Sequence, residues 1–172
     1  MLVCIDNEGE KEGEDLRSNA EVQRIVETYA STLLRVAFSQ MKSMSDAEDM
    51  VQEALLKYME KAPEFESLEH EKAWLLRVTI NLCRNRRNTA WFKKTVPLDE
   101  SIPALESGES AVLGAVLALP QKYRTVIHLY YYEGYPVAEI AKILNRNQNT
   151  VVSQLSRARG LLKQSQKEDF DE

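Results

Sequence analysis

The stretch PVAEIAKILNRNQNTVVSQLSRAR, residues 136–159, decides the fold. Its apolar residues Val137, Ile140, Ala141 and Leu144 recur at three and four, the period of one helical face, and Asn145-Arg146-Asn147 then interrupts the pattern. Asn147 is suited to cap a second helix running from Gln148 to about Gln164. Two short helices joined by a tight turn, the second carrying outward polar and basic residues, form a helix-turn-helix. Ordinary helical hairpins share this spacing, so the pattern by itself leaves DNA binding open. Arg157, Arg159 and Lys163 favour it, because cations near phosphates release condensed counterions.

Working upstream, the period predicts helices over Ala111 to Leu119 and Pro120 to Tyr132, the second ended by Gly134. Before them, Thr95 to Ser110 loses all periodicity, with Pro97, Pro103, Gly108, four acids and no base. That segment reads as a flexible acidic linker. The N-terminal half predicts three helices: Asn19 to Lys42, Ser45 to Ala62 and His70 to Lys93. Ser45 and Glu48 have the spacing of a capping box, and Pro63 closes the second helix because it has no N–H to donate. The fold class is therefore all-α: two small helical domains joined by the linker. The expected division is a disordered acidic leader (1–18), a helical domain (19–94), the linker (95–110), a helix-turn-helix domain (111–167) and an acidic tail (168–172).

Composition agrees. A chain of 172 residues, 44% hydrophobic, has material for one ordinary core or two small ones. No apolar run approaches the roughly 18 residues that span a bilayer, and Met1 to Asp15 lacks the pattern of a signal peptide, so a cytoplasmic protein without membrane insertion is expected. Cys4 lies in the leader, and Cys83 falls in a helical pattern as a small core residue. The net charge of −5 argues against nucleic acid until its distribution is examined. Residues 46–71 carry 9 acids and 2 bases, whereas residues 72–94 carry 7 bases and no acid, and residues 120–167 carry 8 bases against 2 acids. Two basic segments stand in an acidic chain.

Leu119-Pro120-Gln121-Lys122-Tyr123-Arg124, Glu133-Gly134-Tyr135-Pro136-Val137-Ala138-Glu139-Ile140-Ala141, Thr150-Val151-Val152-Ser153 and Arg157-Ala158-Arg159 together resemble region 4 of the extracytoplasmic-function (ECF) sigma factors of RNA polymerase. Asp46-Ala47-Glu48-Asp49-Met50-Val51-Gln52-Glu53-Ala54 is similar to region 2.2 of that family, and Ala73 to Asn81 to its regions 2.3 and 2.4. The resemblance implies a non-enzymatic transcription-initiation subunit that uses no cofactor. Its implied partners are core RNA polymerase, through the β′ clamp and β flap, promoter DNA, and an anti-sigma factor. Asp46, Asp49, Gln52 and Glu53 would meet the polymerase. Phe65, His70, Lys72, Arg77, Asn81, Arg84 and Asn85 would meet the −10 element. Arg146, Asn149, Thr150, Ser153, Gln154 and Arg157 would meet the −35 element.

Several of these residues admit a second reading. Asp46, Glu48 and Asp49 also suit the positive end of a helix dipole, Phe65 also suits a core plug, and Trp91-Phe92 suits a clasp between domains. Asp49 and Glu53, one turn apart, have no histidine nearby to complete a metal site. Where the family commonly carries glycine before the Thr-Val pair and cations after it, this chain has Asn149, Val152 and Gln154. The recognition helix thus loses positive charge, although Asn149 and Gln154 have the groups to pair bidentately with adenine. These departures keep open a second class of function, a degenerate sigma-like adaptor that binds polymerase or DNA without starting transcription.

Overall fold

A computed structural model of the chain describes residues 18–89 and 107–170, and these are helical apart from short connections, with no strand among them. Most of the expected leader and linker, the Trp91-Phe92 pair and Cys4 lie outside the described residues.

Helix α1 (Asn19–Met41) begins at Ser18, whose hydroxyl accepts the Glu21 N–H at 3.3 Å. It ends at Lys42, whose backbone is left-handed (φ 59°) and whose N–H donates to the Phe38 carbonyl. One residue later Ser43 caps α2 (Met44–Lys61), accepting the Asp46 N–H at 3.3 Å. The expected cap at Ser45 is thereby corrected. A cap needs extended backbone, and the left-handed Lys42 leaves Ser43 as the extended residue (φ −139°, ψ 127°) while Ser45 is already helical. Helix α3 (Leu68–Asn88) likewise starts before His70, because the Ser67 hydroxyl accepts the His70 N–H at 3.1 Å. It ends at Asn88, where both the N–H and the hydroxyl of Thr89 donate to the Arg86 carbonyl; the rest of the expected span, to Lys93, lies outside the described residues.

These three helices close on Ile25, Leu33 and Val36 of α1, Met50, Ala54 and Tyr58 of α2, and Leu75, Leu76 and Cys83 of α3, all buried. Each fully buried aliphatic side chain contributes about 1.5–3 kcal/mol. Cys83 is a core residue as expected, and burial pushes its thiol up to about 12, so it stays protonated at neutral pH.

The second half contains α4 (Ser107–Ala118), α5 (Gln121–Ile127), α6 (Val137–Leu144) and α7 (Gln148–Phe170). Helix α4 begins inside the expected linker, and α7 runs through the first residues of the expected acidic tail. The single helix expected over Pro120 to Tyr132 is divided. After α5 the chain widens into a π-helical turn, His128–Tyr132, where the Glu133 N–H reaches five residues back to the His128 carbonyl at 3.1 Å. This turn buries His128 and Leu129 and leaves Tyr131 and Tyr132 exposed. Gly134 then reverses the chain at φ +72°, a region that side chains with a Cβ rarely enter. Val126, Ile127, Leu129, Ile140, Ile143, Val151, Leu155 and Ala158 form the core of this half.

The two halves pack together, α1 against α5 and α3 against α6. Gln40 is the buried hub of that seam. Its Oε1 accepts from Gln121 Nε2 and from the Thr125 hydroxyl, both at 3.1 Å, while its carbonyl accepts from Arg87 Nη1 at 2.6 Å.

Candidate functional site

The helix-turn-helix forms as its sequence predicts. Asn145 ends α6 in the left-handed region (φ 50°), the Arg146 N–H donates back to the Ala141 carbonyl at 2.9 Å, and Asn147 Oδ1 accepts the Asn149 N–H at 2.8 Å to cap α7. Val151, Leu155 and Ala158 anchor α7 in the core, so Asn149, Thr150, Val152, Ser153 and Arg157 point outward together. Gln154 is half-buried, and its Oε1 accepts from Arg146 Nη1 at 2.9 Å. Arg159 leaves this group: its Nε donates to the Tyr131 hydroxyl at 2.7 Å and its guanidinium lies over the Tyr130 and Tyr131 rings.

On α2, Asp49, Gln52 and Glu53 are exposed along one face, and Asp46 is half-exposed in the first turn. Leu56 continues that row and is 56% exposed, an apolar residue that the sequence reading left out. Its spacing of three and four from Glu53 and Gln52 is the signal that places it there.

The α3 residues divide. Phe65, before α3, is half-buried in an aromatic cluster, stacked on Tyr58 at 6.1 Å and edge-on to His70 and Trp74 at 5.5 and 5.9 Å. His70 is exposed at its rim; Trp74, expected in the core, is half-buried there. Asn81 accepts from Arg84 Nη2 at 3.1 Å, and Arg84 and Asn85 are exposed. Lys72 and Arg77 are engaged by the second half. Lys72 Nζ lies 3.0 Å from Glu133, and Arg77 donates through Nη2 to the Lys142 carbonyl at 2.6 Å and through Nε to the Ile143 carbonyl at 3.2 Å. Both carbonyls belong to the last turn of α6, where a cation also meets the negative end of the helix dipole.

Two carboxylates missed by the sequence reading hold this framework. Glu71 accepts both guanidinium nitrogens of Arg24, at 2.7 and 3.0 Å, and the Tyr58 hydroxyl at 2.8 Å. Burial opposes its ionisation, but these donors outweigh burial and hold the carboxyl below its usual range. Glu133 is held low in the same way, with burial outweighed by His128 and Lys72. Neither residue stands apart from its acidic or basic neighbours in the sequence, since each depends on a partner distant along the chain.

A helical domain with an acidic face and a cationic helix, followed by a helix-turn-helix, defines a DNA-binding transcription protein. Residues 25–92 match the family model described as Sigma-70 region 2, and residues 109–162 that described as Sigma-70, region 4. The chain is 34% identical over 147 residues to the RNA polymerase sigma factor SigV of Bacillus subtilis, covering 79% of this chain and 86% of that relative. It is 28% identical over 167 residues to the ECF RNA polymerase sigma factor SigM of Mycobacterium tuberculosis, covering 87% and 85% of the two chains. Among solved structures, the sigma factor RpoE in complex with the anti-sigma factor NepR, from Bartonella quintana, superposes with a TM-score of 0.71 at 25% identity, over 86% of this chain and 97% of that one. CnrH, in complex with the cytosolic domain of CnrY, shares the fold at a TM-score of 0.65 and 20% identity, over 88% and 91% of the two chains. The chain belongs to the ECF group of the sigma-70 family of RNA polymerase sigma factors. That family consists of transcription regulators rather than enzymes. No described helix is long and apolar enough to cross a membrane.

Proposed function

We propose that this chain binds core RNA polymerase, recognises −10 and −35 promoter elements and initiates transcription of a specific set of genes. The observation that carries the reading is the presence of two surfaces of different chemistry in one small domain: the exposed Asp49, Gln52, Glu53 and Leu56 row of α2, and the cationic Arg77, Asn81, Arg84 and Asn85 side of α3. In this reading residues 19–94 hold the polymerase β′ clamp and the −10 element, while residues 111–167 meet the β flap and the −35 element. Phe65 and His70 take unstacked bases, with Lys72 and Arg77 on the backbone, because contacts to single strand must offset the several kcal/mol that opening costs. Arg146 and Arg157 hold phosphates, and Asn149, Thr150, Ser153 and Gln154 face base edges. The anti-sigma complex of the Bartonella relative supports an anti-sigma factor as a further partner.

Run-off transcription with bacterial core polymerase on a randomised promoter library tests this reading. Template-specific transcripts with common −10 and −35 motifs are the expected result; polymerase binding without transcripts would overturn it. A second reading, the adaptor that binds polymerase or DNA without initiating, is favoured by one observation: Arg146 engages the amide oxygen of Gln154, which subtracts an acceptor from a recognition surface already short of the family's usual cations. The same library distinguishes the two.

A further inference from the structure

A cavity of about 90 Å³ opens at the seam between the halves. Its polar lining consists of Asn81 and Arg84 of α3, Gln121, Lys122 and Thr125 of α5, and Arg146 of the helix-turn-helix turn. Three of these are cations and none is an acid. Among the described residues their partners are neutral: Arg84 donates to Asn81 Oδ1, Arg146 donates to Gln154 Oε1, and Lys122 Nζ sits 4.9 Å above the Tyr123 ring. Burial and the neighbouring Arg84 charge hold the Arg146 guanidinium below its ordinary value. Positive charge from both halves therefore converges on one cavity with no counter-charge supplied by the lining.

The volume is about three times the ~30 Å³ share of a liquid water, room for a small oxyanion. Two guanidinium groups offer planar pairs of N–H donors suited to phosphate oxygens, and a lysine adds a point charge. We propose that this cavity binds a small phosphate-bearing anion, held by Arg84, Lys122 and Arg146, and that the bound anion ties α3 to the second half. The site goes beyond the promoter-binding reading and does not rest on it. Its consequence for that reading is competition, because Arg84 and Arg146 cannot serve the anion and DNA phosphates together.

Isothermal titration calorimetry of the full chain with inorganic pyrophosphate, in about 0.15 M chloride so that exposed charge is screened, tests the site. Saturable binding of one anion per chain is expected, weakened about tenfold or more by Arg84→Gln and by Arg146→Gln. Lys61→Gln, an exposed cation at the end of α2, is expected to leave the affinity unchanged. Lys122→Gln, at an exposed residue, replaces either arginine variant that loses its helical circular dichroism. Absence of saturable heat, or an equal loss from Lys61→Gln, would overturn the proposal. So would a short DNA duplex binding through Arg84 and Arg146 where pyrophosphate does not, since those cations would then serve DNA alone. Run-off transcription in the same variants reports separately on the promoter reading.

Discussion

The Glu71 carboxylate, 4% exposed, ties α1, α2 and α3 together through Arg24 and Tyr58. Glu71→Ala is expected to cost about 2–3 kcal/mol in urea unfolding, less than a fully buried pair because the Arg24 side chain is 43% exposed and partly screened. Its carboxyl is held below the usual range, so its contribution is complete above the unfolded carboxylate pKa and disappears as pH falls through the depressed folded value. The difference between wild type and Glu71→Ala should thus be flat near neutrality and shrink in acid. On α7, Gln154 and Arg157 separate two kinds of contact. Arg157→Gln is expected to weaken binding of polymerase holoenzyme to all −35 variants alike and to reduce the salt slope by about 0.9. Gln154→Ala should cost about 1–3 kcal/mol on one variant and little on others; equal losses across a −35 panel would exclude base reading. The outward residues of α7 were legible from helical period alone, whereas the Arg146 to Gln154 hydrogen bond was not, because it depends on the angle between α6 and α7.

At the scale of elements, helix existence followed from apolar spacing, and the boundaries followed from backbone events that the spacing does not encode. Ser43 and Ser45 are chemically equal as caps; the left-handed Lys42 selects the first. Lys42 holds φ 59°, a conformation that costs a residue with a Cβ about 1 kcal/mol. Burial, Arg124 and Arg87 also disfavour its charged form. Lys42→Gly relieves both effects and is expected to raise the midpoint of thermal unfolding by about 2–4 °C. A lower midpoint would show that the lysine stem packs more favourably than its backbone is strained. The π-helical turn at His128–Tyr132 had no local signal either, since one extra residue in a helical turn leaves the apolar pattern on both sides intact. The α2 acidic face was legible because its period leaves it no inward direction. The cationic face of α3 was legible as a face, but its engagement with the second half was not, since those partners lie more than 60 residues away.

For the whole molecule the seam decides what the α3 cations can reach. Lys72 and Arg77 cannot hold Glu133 and the α6 carbonyls while also holding DNA, so the proposed −10 contact requires the halves to separate. Glu133 is the charge whose removal tests the seam. Its side chain is 3% exposed, 3.0 Å from Lys72, 3.9 Å from Arg35 and 3.4 Å from His128 Nε2, and it is not part of the hydrophobic core. Glu133→Gln removes the charge that attracts Lys72 and is expected to weaken the closed arrangement by about 1–3 kcal/mol. Small-angle scattering should then show a larger radius of gyration, and a single-stranded −10 oligonucleotide should bind the free chain several-fold more tightly. The pH dependence has a definite sign. Across the seam the Lys72 ammonium favours the Glu133 carboxylate, so that attraction is complete while the carboxyl is ionised and is lost as pH falls through its depressed value, whereas the His128 contribution lies within the second half and is independent of closure. Wild type is therefore expected to expand in acid at a pH where helical circular dichroism is retained, with the expansion smaller in Glu133→Gln. An unchanged radius and an unchanged affinity in the variant would assign the seam to the hydrogen bonds that Gln40 and Arg77 make with neutral groups.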